Sequence, residues 1–108
     1  MQEGPAWIVV LHGEHDLSTV SDVARQLDQA LAEGTPTVVD LTDVAFMDSA
    51  ILKTLLAARE RALVRRGASF AMVAPLGSFP SRVLALVGPL VPTYPTLADA
   101  IAEVTSTK

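Results

Sequence analysis

Residues 37–56 read TVVDLTDVAFMDSAILKTLL and contain the pattern that decides the fold. The β-branched run Thr37–Leu41 predicts a buried strand. After a short turn, apolar residues recur at helical spacing and predict a long helix that ends at Gly67. A strand joined in this way to a helix is the building unit of an α/β domain.

The same alternation continues on both sides of this stretch. The further predicted strands are Trp7–Leu11, which ends at Gly13, then Ser69–Ala74 and the weaker Val91–Thr93. The further predicted helices are Thr19–Glu33, which starts with a capping box of Thr19 and Asp22 and stops at Gly34, then Ser81–Val87, which stops at Gly88, and Leu97–Val104. The pattern predicts one α/β domain over residues 1–108, with its core in residues 6–104. We expect four or five strands in a mostly parallel or mixed sheet and about four helices.

The composition excludes several classes of protein. The chain has 108 residues, no cysteine and a formal net charge of −4. Without cysteine there is no disulfide scaffold, thiolate zinc site or cysteine nucleophile. A negative net charge disfavours direct nucleic-acid binding by phosphate neutralisation. No apolar run is long enough for membrane insertion, and no basic segment precedes the first apolar run, so we expect a cytoplasmic protein without a signal peptide.

The charges are unevenly distributed along the chain. Residues 1–48 contain nine acidic residues and one basic residue, whereas residues 49–108 contain three acidic and seven basic residues. The predicted long helix carries five of the bases, Lys53, Arg59, Arg61, Arg65 and Arg66. A solvated helix face is the ordinary explanation, and a basic patch for an acidic partner is the alternative.

Two segments lie where parallel sheets usually meet ligands and partners, at the carboxyl ends of strands. They are Gly13–Asp16, after the first predicted strand, and Phe46–Ala50, before the long helix. Asp16, Asp48 and Ser49 are residue types that cap helices. Asp48 and Ser49 could also form a docking or phosphorylation point, because a phosphate beside a helix N-terminus changes the local charge by nearly two units.

Catalytic and metal-binding signatures are weak. His12, Glu14, His15 and Asp16 are close in sequence, but the two histidines do not have a recognised zinc spacing, so no metal site is predicted. No glycine-rich phosphate loop, nucleophile elbow or catalytic triad pattern occurs. We therefore expect a non-enzymatic protein with no cofactor.

From about Trp7 to Val104, the chain resembles the STAS family of bacterial anti-sigma factor antagonists and sulfate-transporter regulatory domains. Gly13-Glu14-His15-Asp16 resembles the family's G-E-x-D turn, and Phe46-Met47-Asp48-Ser49 resembles its F-[MI]-D-S opening. Other family landmarks follow in order at Val38–Leu41, Val73–Pro75, Ser81–Leu84 with Gly88–Leu90, and Tyr94–Ala100. Each motif is weak alone, but their order is specific.

The resemblance implies a regulatory cycle. A family member of this type binds an anti-sigma factor that is also a serine kinase, and so releases a sigma factor for transcription. Phosphorylation of a Ser or Thr in the motif D-S-[ST]-G-L breaks that complex. Here the motif reads Asp48-Ser49-Ala50-Ile51-Leu52, so Ala50 occupies the acceptor position and cannot be phosphorylated. The predicted partner-binding residues are Asp16, Asp48, Ser49, Ala50, Ile51 and Lys53, with Ser49 as a substitute acceptor.

Other interpretations remain. The same fold could serve as an accessory subunit that binds the ATPase of a lipid-transport ABC system. A receiver domain with Asp40 as phosphoacceptor lacks the acidic pair after the first strand and the lysine at the end of the last strand. Because only six residues precede Trp7, an additional first strand is either absent or very short. A homodimer through the resulting exposed strand edge is a further prediction.

Overall fold

The computed structural model describes residues 2–32, 34–64, 69–87 and 92–106. Its five-stranded sheet has the order β1 to β5, the same as along the chain. The strands are β1 (Gln2–Glu3), β2 (Ala6–His15), β3 (Thr37–Met47), β4 (Phe70–Val73) and β5 (Thr93–Tyr94). Strand β1 is antiparallel to β2, and all the later neighbours pair in parallel. The predicted α/β fold with a mostly parallel sheet is confirmed.

Within the described ranges, four α-helices connect and cover the strands. They are α1 (Val20–Ala32), which follows a 3-10 turn at Leu17–Thr19, α2 (Ser49–Val64), α3 (Phe79–Ala85) and α4 (Leu97–Val104). Helix α4 has the predicted bounds, and Thr96 caps its first turn. Helix α3 starts earlier than predicted, because the Ser78 hydroxyl caps its N-terminus and accepts a hydrogen bond from the Ser81 N–H. Pro80 then lies in the first turn, where the missing N–H of a proline has no cost.

Strands β2 and β3 are both longer than predicted. They pair in parallel from Trp7 opposite Thr37 to His15 opposite Met47. The predicted end of β2 at Gly13 is wrong, since the strand passes through this residue with a register shift and a φ of 75°. The predicted turn after Leu41 is also wrong, because β3 continues to Met47 and leads through Asp48 directly into α2.

The core has one layer on each face of the sheet. Helices α1, α2 and α3 cover one face, where Val39, Leu41 and Met72 of the sheet pack with residues such as Leu27 and Leu55. Helix α4 covers the other face, on which the buried residues are Ala6, Ile8, Val38, Ala71, Val73, Ala100 and Val104. The sheet therefore lies between two helical layers, as in other α/β domains.

Some sequence predictions fall on residues that the structure does not describe. These are the helix ends at Glu33 and Gly67, the helix stop at Gly88, the family landmark at Gly88–Leu90, the start of a strand at Val91 and the charges of Arg65 and Arg66. Among the helices of the described ranges, none is long and apolar enough to cross a membrane.

Candidate functional site

The two segments predicted to meet partners are neighbours in the sheet. Residue His15, the last of β2, is opposite Met47, the last of β3. The Asp48 N–H then donates a hydrogen bond to the His15 carbonyl oxygen at 3.2 Å. Parallel pairing therefore places Asp16 and Asp48, the residues that follow the two strands, at the same edge of the sheet.

Asp16 caps the helical segment that follows β2. Its carboxylate accepts hydrogen bonds from the Ser18 hydroxyl and, at 2.9 Å, from the Ser18 N–H, while the Thr19 hydroxyl accepts from the Asp16 N–H at 3.2 Å. These residues form a capping box, so the predicted box of Thr19 and Asp22 is wrong. The Ser18 hydroxyl, followed by its backbone N–H, holds the pKa of Asp16 below its ordinary value.

Asp48 has the same role at the start of α2. Its carboxylate accepts a hydrogen bond from the Ile51 N–H at 3.1 Å, the geometry of a capping side chain. Ser49 is exposed and Ala50 is half-buried on the first turn. Lys53 is exposed one turn further along the helix. Asp48 thus satisfies a backbone donor, and Ser49, Ala50 and Lys53 follow it on the first turns of the helix.

Ile51 was also predicted to contact a partner, and its burial corrects that expectation. The side chain has 0% exposure and belongs to the core between α2 and the sheet. It lies on the same helix face as Leu55, Ala58 and Ala62, which are also buried. Ile51 therefore stabilises the helix against the sheet and offers no surface for docking.

The predicted basic face of α2 is interrupted. Arg61 forms an ion pair with Asp28 of α1 at 2.7 Å, which offsets its charge within the domain. Arg59 is half-buried, whereas Lys53 is exposed. The described part of α2 therefore does not present a continuous basic patch.

A group of side chains beside the site was missed by sequence reasoning. The Phe46 ring is 42% exposed and packs against Phe79 at the start of α3, with 5.4 Å between ring centroids. The Arg82 guanidinium lies 6.0 Å from the centre of the Phe79 ring and donates a hydrogen bond to the Gly77 carbonyl oxygen at 2.6 Å. The only sequence signal was an aromatic residue two positions before Asp48, since the other members come from a distant segment.

The histidines and acids near the site do not form a metal cluster. The His12 ring is 3.6 Å from the Asp43 carboxylate, and the Nδ1 atom of His15 is 3.1 Å from the Thr19 hydroxyl. In the part of the chain that the structure describes, no three His, Asp or Glu side chains are arranged to hold a metal ion.

Known structures with the same fold include anti-sigma factor antagonists. One from Mycobacterium paratuberculosis is 28% identical, has a TM-score of 0.86, and matches 98% of this chain and 91% of its own. One described as putative, from Thermotoga maritima, is 22% identical, with a TM-score of 0.79 over 94% of this chain and 89% of its own. The phosphorylated Bacillus cell fate determinant SpoIIAA is 20% identical, with a TM-score of 0.70 over 96% of this chain and 95% of its own.

Two sequence comparisons were informative in different ways, and the match to a family model agrees with the fold. Among curated protein sequences, none matches the chain. A family model described as "Mlab, STAS domain" matches residues 2–90, which include all the candidate site residues at the ends of β2 and β3. Because this match covers most of the chain, the protein belongs to the STAS domain family.

Proposed function

We propose that this domain is a non-enzymatic regulator that binds an anti-sigma factor and thereby frees a sigma factor. The observation that carries the proposal is the pairing of the β2 and β3 ends, which holds Asp16 and the first turn of α2 at one edge of the sheet. The 28% identity to an anti-sigma factor antagonist over nearly the whole chain supports this role. The anti-sigma factor is expected to be a serine kinase, as the family resemblance implies.

The proposed binding surface consists of Asp16, Asp48, Ser49, Ala50 and Lys53. Both aspartate carboxylates accept hydrogen bonds from backbone N–H groups that they cap, so their positions do not depend on the partner. A preorganised surface loses little conformational freedom when it docks, which favours binding. Charges at the rim of such a surface mainly set orientation and association rate.

The usual phosphorylation switch is proposed to be absent. In family members, a phosphate at the acceptor position adds nearly two negative charges to the docked interface and disrupts it by repulsion and desolvation. Ala50 has no hydroxyl to accept that phosphate. Ser49 is exposed and adjacent, so it is the substitute acceptor to examine.

A binding experiment tests the proposal. The purified full chain is mixed with each kinase-like anti-sigma factor encoded near its gene, with and without ATP, and affinity is measured by calorimetry. We expect binding that the Lys53→Glu variant weakens by about tenfold, equivalent to ~1.4 kcal/mol, mainly because reversal of this charge slows association. Glu60→Gln is the matched control, because Glu60 is exposed near the other end of α2. The absence of binding to every such factor would contradict the proposal.

The second candidate is the accessory subunit of a lipid-transport ABC system. In that role, the basic face of α2 would bind an acidic surface of the ATPase. The Arg61–Asp28 ion pair removes one of those bases from that role, which favours the first candidate. Copurification of the tagged chain with an ABC ATPase, and not with an anti-sigma factor, would reverse this order.

A homodimer through the edge of β2 also remains a proposal. The first strand is very short, and its described residues pair with Ala6 and Trp7 of β2. However, the positive φ of Gly13 and the nearby register shifts make the second half of β2 irregular. Irregular edges are poor templates for pairing with a second strand. Sedimentation of the full chain at several concentrations would show whether a dimer forms.

A further inference from the structure

We propose that the surface formed by Phe46, Phe79 and Arg82, the aromatic–arginine surface, binds an acidic side chain flanked by apolar residues on a partner protein. This inference rests on the proposed function, because Phe46 lies two residues before Asp48, the residue that caps α2, at the edge of the sheet that carries the proposed docking region. It assigns to that region a chemical preference that the STAS family match does not specify.

The two aromatic rings supply the apolar part of this surface. Phe46 lies near the end of β3, yet its ring is 42% exposed and is not buried in the core. Its only ring partner in the described part of the chain is the half-buried Phe79, tilted by 36°. Covering exposed aromatic surface is favourable in rough proportion to the area removed from water. A partner residue that packs on these rings therefore stabilises the complex.

Arg82 supplies the charge, and it is already held in place. Its guanidinium lies over the Phe79 ring and donates to the Gly77 carbonyl oxygen, in a turn where Gly77 has a φ of 79°. None of the ion pairs found within the described residues includes Arg82. A planar guanidinium that keeps free N–H donors matches the geometry of a carboxylate. Arginine and aromatic residues, including phenylalanine, are also enriched in protein interfaces, and arginine is among the residues that most often carry binding energy.

The charge of the surrounding surface favours a protein segment over an anionic lipid surface. Glu14, Asp16, Asp43 and Asp48 all lie in the last part of β2 and β3 or directly after it, at the same edge of the sheet as Phe46. A negatively charged bilayer would be repelled by these acids across its whole area of contact. A peptide segment can place one carboxylate at Arg82 and keep its other charges away from the acids.

The experiment uses short random peptides displayed on phage and selected against the immobilised full chain. We expect enrichment of peptides in which Asp or Glu is adjacent to Leu, Phe or Trp. Replacing that Asp or Glu by its amide should weaken binding by about tenfold or more. Arg82→Ala should weaken it to a similar degree, whereas Arg25→Ala, which removes an exposed arginine paired with Asp22 on α1, should not change it.

Additional variants separate docking from stability. Phe46→Ala should weaken peptide binding, and Phe46→Leu, which keeps an apolar side chain, replaces it in the binding assay if Phe46→Ala lowers the stability of the fold. Arg82→Lys should bind the peptides more weakly than the wild type, because lysine cannot form the paired hydrogen bonds. Circular dichroism of each variant should match that of the wild type. Recovery of no peptide, of peptides without acids, or of peptides that bind Arg82→Ala as tightly as wild type would overturn the inference. So would binding to vesicles of equal parts phosphatidylcholine and phosphatidylglycerol.

The peptide experiment contains no anti-sigma factor, so the two proposals can fail separately. Selective acidic peptides together with no binding to any anti-sigma factor would reject the proposed function and retain the aromatic–arginine surface. Binding to an anti-sigma factor that is unchanged in Arg82→Ala would retain the function and reject this surface.

Discussion

The peptide N–H of Asp48 donates a hydrogen bond to the carbonyl oxygen of His15 at 3.2 Å. This bond extends the β2–β3 ladder by one step beyond the last paired residues, His15 and Met47. It ties the entry of α2 to the end of the neighbouring strand. The relative position of the two caps, Asp16 and Asp48, is therefore set by backbone pairing and does not depend on long side chains.

Replacement of Ile51 should destabilise the domain, because the side chain is completely buried. We expect Ile51→Ala to lower the free energy of unfolding by about 2–5 kcal/mol and Ile51→Val by about 0.5–1.5 kcal/mol. Urea denaturation measures both values. The control is Lys53→Ala, an exposed change two residues away, which should have little effect. Equal stability of Ile51→Ala and wild type would show that Ile51 is not a core residue.

Gly13 should tolerate side chains poorly, for a backbone reason. Its φ is 75°, and a Cβ atom at this position would have no neighbouring atom within 4 Å, so crowding is not the obstacle. We expect Gly13→Ala to cost about 1–2 kcal/mol of unfolding free energy, the cost of a left-handed conformation for a residue with a side chain. Gly13→Asn should cost less, since asparagine adopts this region more readily. Thermal unfolding of the two variants would rank them, and the reverse order would contradict the argument.

The cap at Asp16 should make stability depend on pH in acid. Hydrogen bonds from the Ser18 hydroxyl and N–H lower the folded-state pKa of Asp16 below 3.8, its ordinary value. The contribution of the carboxylate is therefore present above pH 3.8 and is lost as the pH falls through the lower folded-state pKa. Wild type should lose its stability advantage over Asp16→Ala across that acidic range.

Asp16→Asn provides the control for this titration. Asparagine caps about as well as aspartate but carries no charge. The stability difference between Asp16→Asn and Asp16→Ala should stay constant with pH, as measured by urea denaturation at a series of pH values. A wild-type advantage that persists unchanged in strong acid would mean that the ionised carboxylate is not the source of the stability.

On the proposed function, a hydroxyl at residue 50 should create a phosphorylation switch. In the presence of ATP and the proposed kinase-like partner, we expect Ala50→Ser to gain the mass of one phosphoryl group and then to dissociate from that partner. Ala50→Val is the control, because it adds bulk without a hydroxyl. Intact-mass spectrometry and calorimetry measure the two effects. A phosphoryl group on the wild type at Ser49 would show that the acceptor has moved by one residue.

The parts of the fold that local chemistry determines were predictable from the sequence. Helix α4 was predicted with its observed bounds from its amphipathic pattern, and the structure shows in addition that Thr96 caps its first turn. The second halves of β2 and β3 were not, since most of their residues are exposed and contain no β-branched run, and these segments become strands through mutual pairing. That pairing joins two segments that are distant in sequence, so neither segment alone indicates it.

The candidate site shows the same division. The capping roles of Asp16 and Asp48 followed from residue type and position. The burial of Ile51 was missed because Ile51 lies in the family's phosphorylation motif and was therefore assigned to the partner surface. Its spacing from Leu55, Ala58 and Ala62 places all four residues on one helix face. The contact between Phe46 and Phe79 joins β3 to α3, and no local pattern in either segment indicates it.

The order of the strands in the sheet follows their order along the chain from β1 to β5. From β3 onward, each strand therefore pairs with the one synthesised just before it, and one α-helix of the described residues lies between the two along the chain, which keeps the closed loops short for a parallel sheet. Short loops reduce the entropic barrier that slows the assembly of such sheets. A chain emerging from the ribosome can add one helix and one strand at a time to a growing edge, without an early strand waiting for a late one.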